Sequence, residues 1–262
     1  SLVGSEMCIR DRYKTAFIFD NTIWQWKVLP FGPTNAPMYF QMCMREIFKG
    51  LPFVTIYLDD VSILSKDIEE HKIHLKQVFD RLKQYGVKLR LDKCLWGVSE
   101  TEYLGFIVDK VGIKCKASYV KKILDVPIPN KKSGLKRFLG LVQFLHRHIP
   151  NMQDYIAILS KLTSNSKPNV IQWTEEEKNA FTNLKQSVQD VAYLRHPDIN
   201  KTFHVFTDAS KYGIGGMLAQ EDENGQYAPI AYCSKVFTDT QTRWQGSEQE
   251  IYVSNYRIPA NL

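Results

Sequence analysis

The chain has 262 residues, 44% of them apolar, 24% charged and 12% aromatic, with a formal net charge of +6. That balance describes an ordinary globular protein, long enough for two domains or one large one, and no apolar run reaches the roughly 18 residues of a membrane helix. Five cysteines (Cys8, Cys43, Cys94, Cys115, Cys233) form no Cys-x-x-Cys pair, and no continuous apolar core follows the charged start. A zinc site, a disulfide framework and a secretory signal are all disfavoured, and the expected setting is intracellular.

Residues 1–12, SLVGSEMCIRDR, fit no periodic pattern and read as a translated sequencing-library adapter joined to a genuine frame. They are set aside from fold reasoning. FIFDNTIWQWKV (residues 17–28) carries a turn signal, Asp20-Asn21, between two aromatic and β-branched runs, and predicts a hairpin. LPFGPTNAP (29–37) packs three prolines and a glycine into nine residues and makes a stiff loop. Asn35 is placed to cap a helix running to about Phe48, with Pro37 in its first turn. Met38, Tyr39, Met42, Ile47 and Phe48 are its expected core residues, while Gln41 points elsewhere, to solvent or to a functional partner.

VTIYLDDVSIL (54–64) sets Asp59 and Asp60 between two β-branched runs, the pattern of a hairpin with the carboxylates at its turn. Alone, Asp-Asp is ordinary turn chemistry. Adjacent carboxylates also repel, and a cation shared with a substrate phosphate relieves them, as in a two-metal phosphoryl-transfer site.

Ile68, His71, Leu75, Val78, Phe79 and Leu82 recur at helical spacing up to Gly86, with His71 and His74 read as packing or surface residues. VKLRLDKC (87–94) and EYLGFIV (102–108) each read as a strand. From Lys110 to Arg137 there are eight lysines and one arginine against a single acid, Asp125, a field suited to a polyanion. Pro127 and Pro129 mark a bend, and Ser133 is placed to cap a helix using Leu135, Phe138, Leu139, Val142 and Leu145, with His146, Arg147 and His148 at its dipole-favoured end. Thr174 and Glu177 form a capping box for a helix burying Ala180, Phe181, Leu184 and Val188. FHVFTDAS (203–210), GIGGMLAQ (213–220) and APIAYCSK (228–235) read as three strands, and a helix begins near Ser247 carrying Glu248 and Glu250.

LPFGPTNAP, YLDD, EYLGFIV, WTEEEKNAF and FTDAS, in this order, resemble the polymerase region of long-terminal-repeat retrotransposons, most closely the gypsy-like group, which is related to retroviral reverse transcriptase. The resemblance covers about Thr15 to Tyr256. It implies an α+β fold: a right-hand polymerase palm over 13–110, a thumb over 111–165, a tether over 166–200 and a truncated ribonuclease-H-like domain over 201–262. Residue by residue, it makes Asp59 and Asp60 metal ligands. Phe31, Gly32, Gln41 and Tyr57 would contact template and nucleotide, Lys93 would be the general acid for pyrophosphate, and Tyr103, Leu104 and Gly105 the primer grip. Lys121, Lys122, Lys131, Lys132, Lys136 and Arg137 would hold the nucleic-acid backbone. Asp208 matches the first ribonuclease H carboxylate and Glu250 the second, with Glu248 the alternative.

The implied cofactor is Mg²⁺, with Mn²⁺ as a substitute. The implied partners are an RNA or DNA template–primer, deoxynucleoside triphosphates and the protease and integrase of the same polyprotein, in cytoplasmic virus-like particles and the nucleus, with no membrane. The family's third palm carboxylate belongs to a block upstream of LPFG, where the adapter-like run stands; Asp20 lies outside that motif and is not assigned. This chain is therefore expected to catalyse neither polymerisation nor RNA cleavage efficiently by itself. The alternatives are a non-catalytic nucleic-acid-binding remnant of a decayed or domesticated element and, less well matched, a non-retroviral RNA polymerase.

Overall fold

The computed structural model describes residues 12–27, 30, 32–238 and 240–254. The chain divides into two compact units, Ser1–Val98 and Ser99–Leu262. Helices and strands are mixed in both, an α+β architecture. No helix among the described residues is long and apolar enough to cross a membrane.

The first unit opens with the expected hairpin, β1 (Phe17–Phe19) and β2 (Thr22–Trp24), turning at Asp20 and Asn21, both at positive φ. Asp and Asn tolerate that region better than most residues, which is why this pair reads as a turn. Helix α1 (Ala36–Ile47) follows, with Pro37 in its first turn. Asn35 occupies the cap position, but its side chain makes no capping bond.

The core face of α1 differs from the expected one. Met44, Ile47 and Phe48 are buried, while Met38 and Met42 are exposed, because the packing face begins one turn later. Strands β3 (Val54–Tyr57) and β4 (Asp60–Ile63) then form the carboxylate hairpin, with Tyr57 opposite Asp60. Helix α2 (Ile68–Tyr85) is capped by Asp67, whose side chain accepts from the Glu70 N–H at 2.9 Å, and ends at Gly86 in the left-handed region. Val78 and Leu82 are buried, whereas Ile68 and Phe79 stay exposed. The Arg81 guanidinium donates to the Ile47 and Lys49 carbonyls (2.8 and 3.3 Å), closing the end of α1 against α2. His71 and His74 both face the Ser65 hydroxyl (3.0 and 2.8 Å), and the His74 ring stacks on Phe53.

Residues 87–94 do not form the expected strand. They carry no regular structure as far as Arg90 and then close a short 3-10 turn over Leu91–Lys93, with the Lys93 N–H donating to Arg90 O at 3.0 Å. A strand needs a ladder partner, and among the described residues none lies beside this segment.

The second unit starts with a meander. EYLGFIV is not one strand: β5 (Glu100–Tyr103) and β6 (Phe106–Asp109) pair around a two-residue turn, Leu104-Gly105, with both residues at positive φ. Strand β7 (Gly112–Cys115) continues the sheet, and β8 (Leu194–Arg195) closes its far edge. Between them lie four helices: α3 (Ala117–Leu124), α4 (Lys132–Gln143), α5 (Met152–Lys161) and α6 (Glu175–Gln189). Their apolar stripes share one core that includes Ile123, Leu135, Phe138, Leu159, Phe181 and Leu184. Burial on this scale is the main source of stability here.

Helix α4 begins at Lys132, so Ser133 lies inside its first turn and does not cap it. Its end at Gln143 leaves His148 beyond the helix, so the expected dipole role does not hold for that residue. His148 is instead buried and stacked on Phe106 at 4.9 Å, and burial lowers its pKa to about 4. Helix α6 keeps the full capping box: the Glu177 N–H donates to Thr174 Oγ1 (3.3 Å) and the Thr174 N–H to Glu177 Oε2 (2.8 Å).

The unit ends in an antiparallel sheet ordered β11-β10-β9, built from β9 (His204–Ala209), β10 (Gly213–Glu221) and β11 (Tyr227–Val236). Helix α7 (Gly246–Ser254) packs along β9.

Candidate functional site

The carboxylate hairpin is held from inside its own unit. Leu58, the first turn residue, has φ +49, a left-handed conformation that costs a non-glycine residue of order 1 kcal/mol or more. Gln41 on α1 holds it there. The Gln41 Nε2 donates to the Ile56 carbonyl at 3.0 Å, and the Leu58 N–H donates to Gln41 Oε1 at 2.5 Å. The resemblance implies template and nucleotide contact for Gln41; in the structure both ends of its amide are committed to the turn. Val54, Ile56, Val61 and Ile63 pack on the Met44–Ile47–Phe48 core beneath.

That seating leaves Asp59 in the turn and Asp60 at the start of β4, both exposed. Neither carboxylate has a hydrogen-bond or ion-pair partner among the described residues, so their oxygens are available to a ligand. Tyr57 next to them is 51% exposed. Such all-oxygen donors suit a hard divalent cation. Two carboxylates are only part of a two-metal ligand set, and no group of three metal-binding side chains occurs among the described residues.

Gly32 adopts φ +111, which explains a glycine at that point of the LPFG loop. Phe31 lies outside the described residues. Lys93 is exposed at the end of its 3-10 turn, in the same unit as the hairpin.

In the second unit, Tyr103, Leu104 and Gly105 form the tip of the β5–β6 hairpin. A Cβ on Gly105 would sit 3.1 Å from the Phe144 ring, so the tip rests close on that aromatic. Lys121, Lys122, Lys131, Lys136 and Arg137 are exposed on α3, the following loop and α4. Lys132 is not part of that set: its ammonium donates to the Ser164 carbonyl at 2.5 Å and to the Lys167 carbonyl, tying a loop to α4. Lys114 and Lys116 are also paired, with Glu100 and Glu102 (3.1 and 2.6 Å). The usable positive field is smaller than the sequence count implies.

Asp208 is exposed on β9, opposite Gly215 of β10. It lines a small pocket with Asn151, Gln153, Asp154 and Ser210. On α7, Glu248 accepts from the Gln245 N–H at 3.0 Å, a capping role that commits one of its oxygens. Glu250 lies within the same helix; its side chain is outside the described residues.

Asp109, which no sequence pattern marks, is an anchor. Its carboxylate accepts from Tyr193 Oη and from the Val111 and Gly112 N–H groups, and these bonds hold its pKa well below the usual carboxylate range. It fastens β8 to the meander across more than eighty residues, a link that local periodicity cannot carry.

Two family models match this chain: reverse transcriptase (RNA-dependent DNA polymerase) over residues 6–108, and an RNase H-like domain found in reverse transcriptase over 173–256. The retrovirus-related Pol polyprotein from transposon 297 of Drosophila melanogaster is 36% identical over 242 residues, covering 91% of this chain and 22% of that protein. The transposon Tf2-3 polyprotein of Schizosaccharomyces pombe is 29% identical, covering 92% of this chain and 18% of that one. The chain thus spans about a fifth of the curated relatives it matches. Among solved structures, the foamy viral protease-reverse transcriptase in complex with dsDNA superposes with a TM-score of 0.79 at 26% identity, covering 94% of this chain and 51% of that one. The same protein in complex with an RNA/DNA hybrid gives 0.76 at 27% identity, covering 94% and 33%.

Proposed function

Because the chain belongs to the reverse transcriptase and RNase H-like region of the retrotransposon Pol polyproteins, we propose that it holds a template–primer duplex and supplies carboxylates for RNA-directed DNA synthesis. The observation that carries this reading is the Asp59–Asp60 turn: two adjacent, exposed carboxylates, unpaired among the described residues, on a hairpin tip clamped by Gln41. The family uses divalent metal, and Mg²⁺, with Mn²⁺ as substitute, is the ion proposed here. When bound, it would stabilise charge on the attacking 3′-oxygen and the triphosphate.

The chain's own residues then have separate tasks. Asp59 and Asp60 hold the ion. The loop at Phe31 and Gly32, with Tyr57, faces template and nucleotide. Lys93 carries a proton and a charge for the pyrophosphate leaving group. The Tyr103–Gly105 tip bears on the primer, and Lys121, Lys122, Lys131, Lys136 and Arg137 meet phosphates without reading sequence. Asp208 and Glu250 serve the RNase H-like domain, Glu248 being engaged at its helix start. By this reading, residues 13–110 act as palm, 111–165 as thumb and 166–200 as tether. The remaining partners are deoxynucleoside triphosphates and the protease and integrase of the polyprotein, inside a cytoplasmic particle.

The binding half is tested on the intact chain by titrating a labelled RNA/DNA duplex across a salt series. The logarithm of affinity is expected to fall linearly with that of salt concentration. Replacing Lys121, Lys122, Lys136 and Arg137 together by Gln lowers the slope by about 0.9 for each phosphate that is no longer neutralised. Lys132→Gln leaves the slope unchanged. Salt-independent binding, or an unaltered slope in the quadruple variant, contradicts the reading. A second reading, a nucleic-acid-binding remnant without catalysis, is favoured by the same exposed cations and shares this result.

A further inference from the structure

Helix α5 reaches the strand that carries Asp208 through a hydrogen-bonded serine. Ser210, two residues beyond Asp208, has one hydroxyl proton and two lone pairs. The hydroxyl accepts from the Tyr212 and Gly213 N–H groups, both at 3.2 Å, which closes the β9–β10 turn. Two acceptors compete for its proton: the Asp154 carboxylate at 2.5 Å and the Gly213 carbonyl at 3.2 Å. The carboxylate is the nearer acceptor, so the proton belongs to Asp154. A second feature fixes the neighbouring strand. Gly215, opposite Asp208, lies so close to Asn151 that a Cβ there would overlap the Asn151 Oδ1. Gln153 adds a bond from its Nε2 to the Ser234 carbonyl of β11 at 3.3 Å. These links from α5 to the sheet are polar, and Asp154, Asn151 and Asp208 line one pocket.

We propose that Asp154 is a positioning residue for Asp208: through Ser210 it sets where the Asp208 carboxylate stands and so tunes its affinity for a divalent cation. The proposal rests on the reading of Asp208 as a metal-binding carboxylate. Removing Asp154 frees the hydroxyl proton for Gly213 O and leaves both N–H bonds of the turn in place. The turn survives, but its tie to α5 is broken. A carboxylate displaced by a fraction of an ångström is a poorer ligand, and outer-shell partners are worth about tenfold or more in metal affinity.

The test uses the intact chain and Mn²⁺, reading paramagnetic broadening of the Thr207–Ala209 amides, with amide exchange across β9 and β10 as the structural readout. Asp208→Asn should abolish the broadening. Asp154→Ala and Ser210→Ala should each raise the Mn²⁺ concentration at half-effect about tenfold, Asp154→Asn less, with exchange protection of the strands retained and broadening at Asp59–Asp60 unchanged. Wild-type Mn²⁺ affinity in Ser210→Ala overturns the proposal, whatever the stability of Asp154→Ala. Unchanged broadening in Asp208→Asn means that the Asp208 reading itself has failed, and the positioning role with it. Loss of strand protection in both Asp154→Ala and Ser210→Ala also overturns it, because the role is then structural.

Discussion

Asp59 and Asp60 sit on a turn defined by a few consecutive residues and one glutamine amide from the preceding helix, whereas Asp208 sits on a strand held by β10 and by a helix more than fifty residues upstream. The surroundings differ in the same sense. Beneath the β3–β4 hairpin the buried apolar residues of its cluster are Met44, Ile47, Phe48, Val78 and Leu82. The second unit buries a far larger cluster, including Phe138, Phe181 and Leu184, drawn from four helices, α5 among them, while β9 and β10 themselves rest on a separate small cluster of Ile214 and Phe237. A site built from near neighbours tolerates a thin core, because its geometry is fixed by a turn and a clamp. A site built from distant segments relies on the packing that brings them together.

Damage to the large core should separate the two units most strongly. Phe181 is 2% exposed and meets both Phe138 (ring centroids 4.4 Å) and Trp173 (5.8 Å). Phe181→Ala should cost about 3–5 kcal/mol through the cavity it leaves. Amide exchange should rise throughout the second unit and stay unchanged in β3 and β4. Equal loss in both units would show that the hairpin depends on the distant core after all.

A smaller effect comes from acid. His148 titrates at about 4 in the folded chain against 6.5 ordinarily, so between those values the unfolded chain takes up a proton that the folded one refuses. Its contribution is fully present above pH 6.5 and is lost as pH falls toward 4, by about 3 kcal/mol. His148→Phe, which keeps a ring beside Phe106, should flatten the thermal midpoint over that window relative to wild type. An identical pH profile would remove His148 from the account.

Gln41→Ala removes the clamp and leaves the Ile56 carbonyl and the Leu58 N–H without it. A loss of about 1–2 kcal/mol confined to the turn is expected, read as a roughly tenfold rise in Leu58 amide exchange. No change there would mean that the turn needs no help from α1. Smallest is Thr174→Ala, about 1 kcal/mol off the melting free energy of the second unit through its cap. A null result would place the stability of α6 wholly in its buried face.

These contrasts also explain what the sequence discloses. The Asp20-Asn21 turn, the β3–β4 hairpin, the Thr174–Glu177 box and the three closing strands are legible because turn chemistry, caps and alternation are local. Helices α3 and α5 are not: α3 lies within a lysine-rich stretch, and α5 begins directly after Asn151, which is held at positive φ without a side-chain capping bond. The Leu104-Gly105 turn hides inside an apolar run that imitates a single strand. The roles of Gln41, Lys132, Asp109 and Asp154 all depend on partners distant in sequence, and no periodicity reports them. Residue type marked the candidate carboxylates, but only the fold shows that Glu248 is engaged in capping.

The proposed role of Asp59 and Asp60 as polymerase carboxylates can be read out in a chimera. Residues 15–256 of this chain would replace the matching segment of the transposon 297 polyprotein, and primer extension on an RNA template would be measured with Mg²⁺. Extension that falls by about a hundredfold or more in Asp59→Asn and Asp60→Asn, with duplex binding intact, is the predicted result. A chimera that binds duplex but does not extend it, or extends it equally well with both carboxylates replaced, contradicts the account.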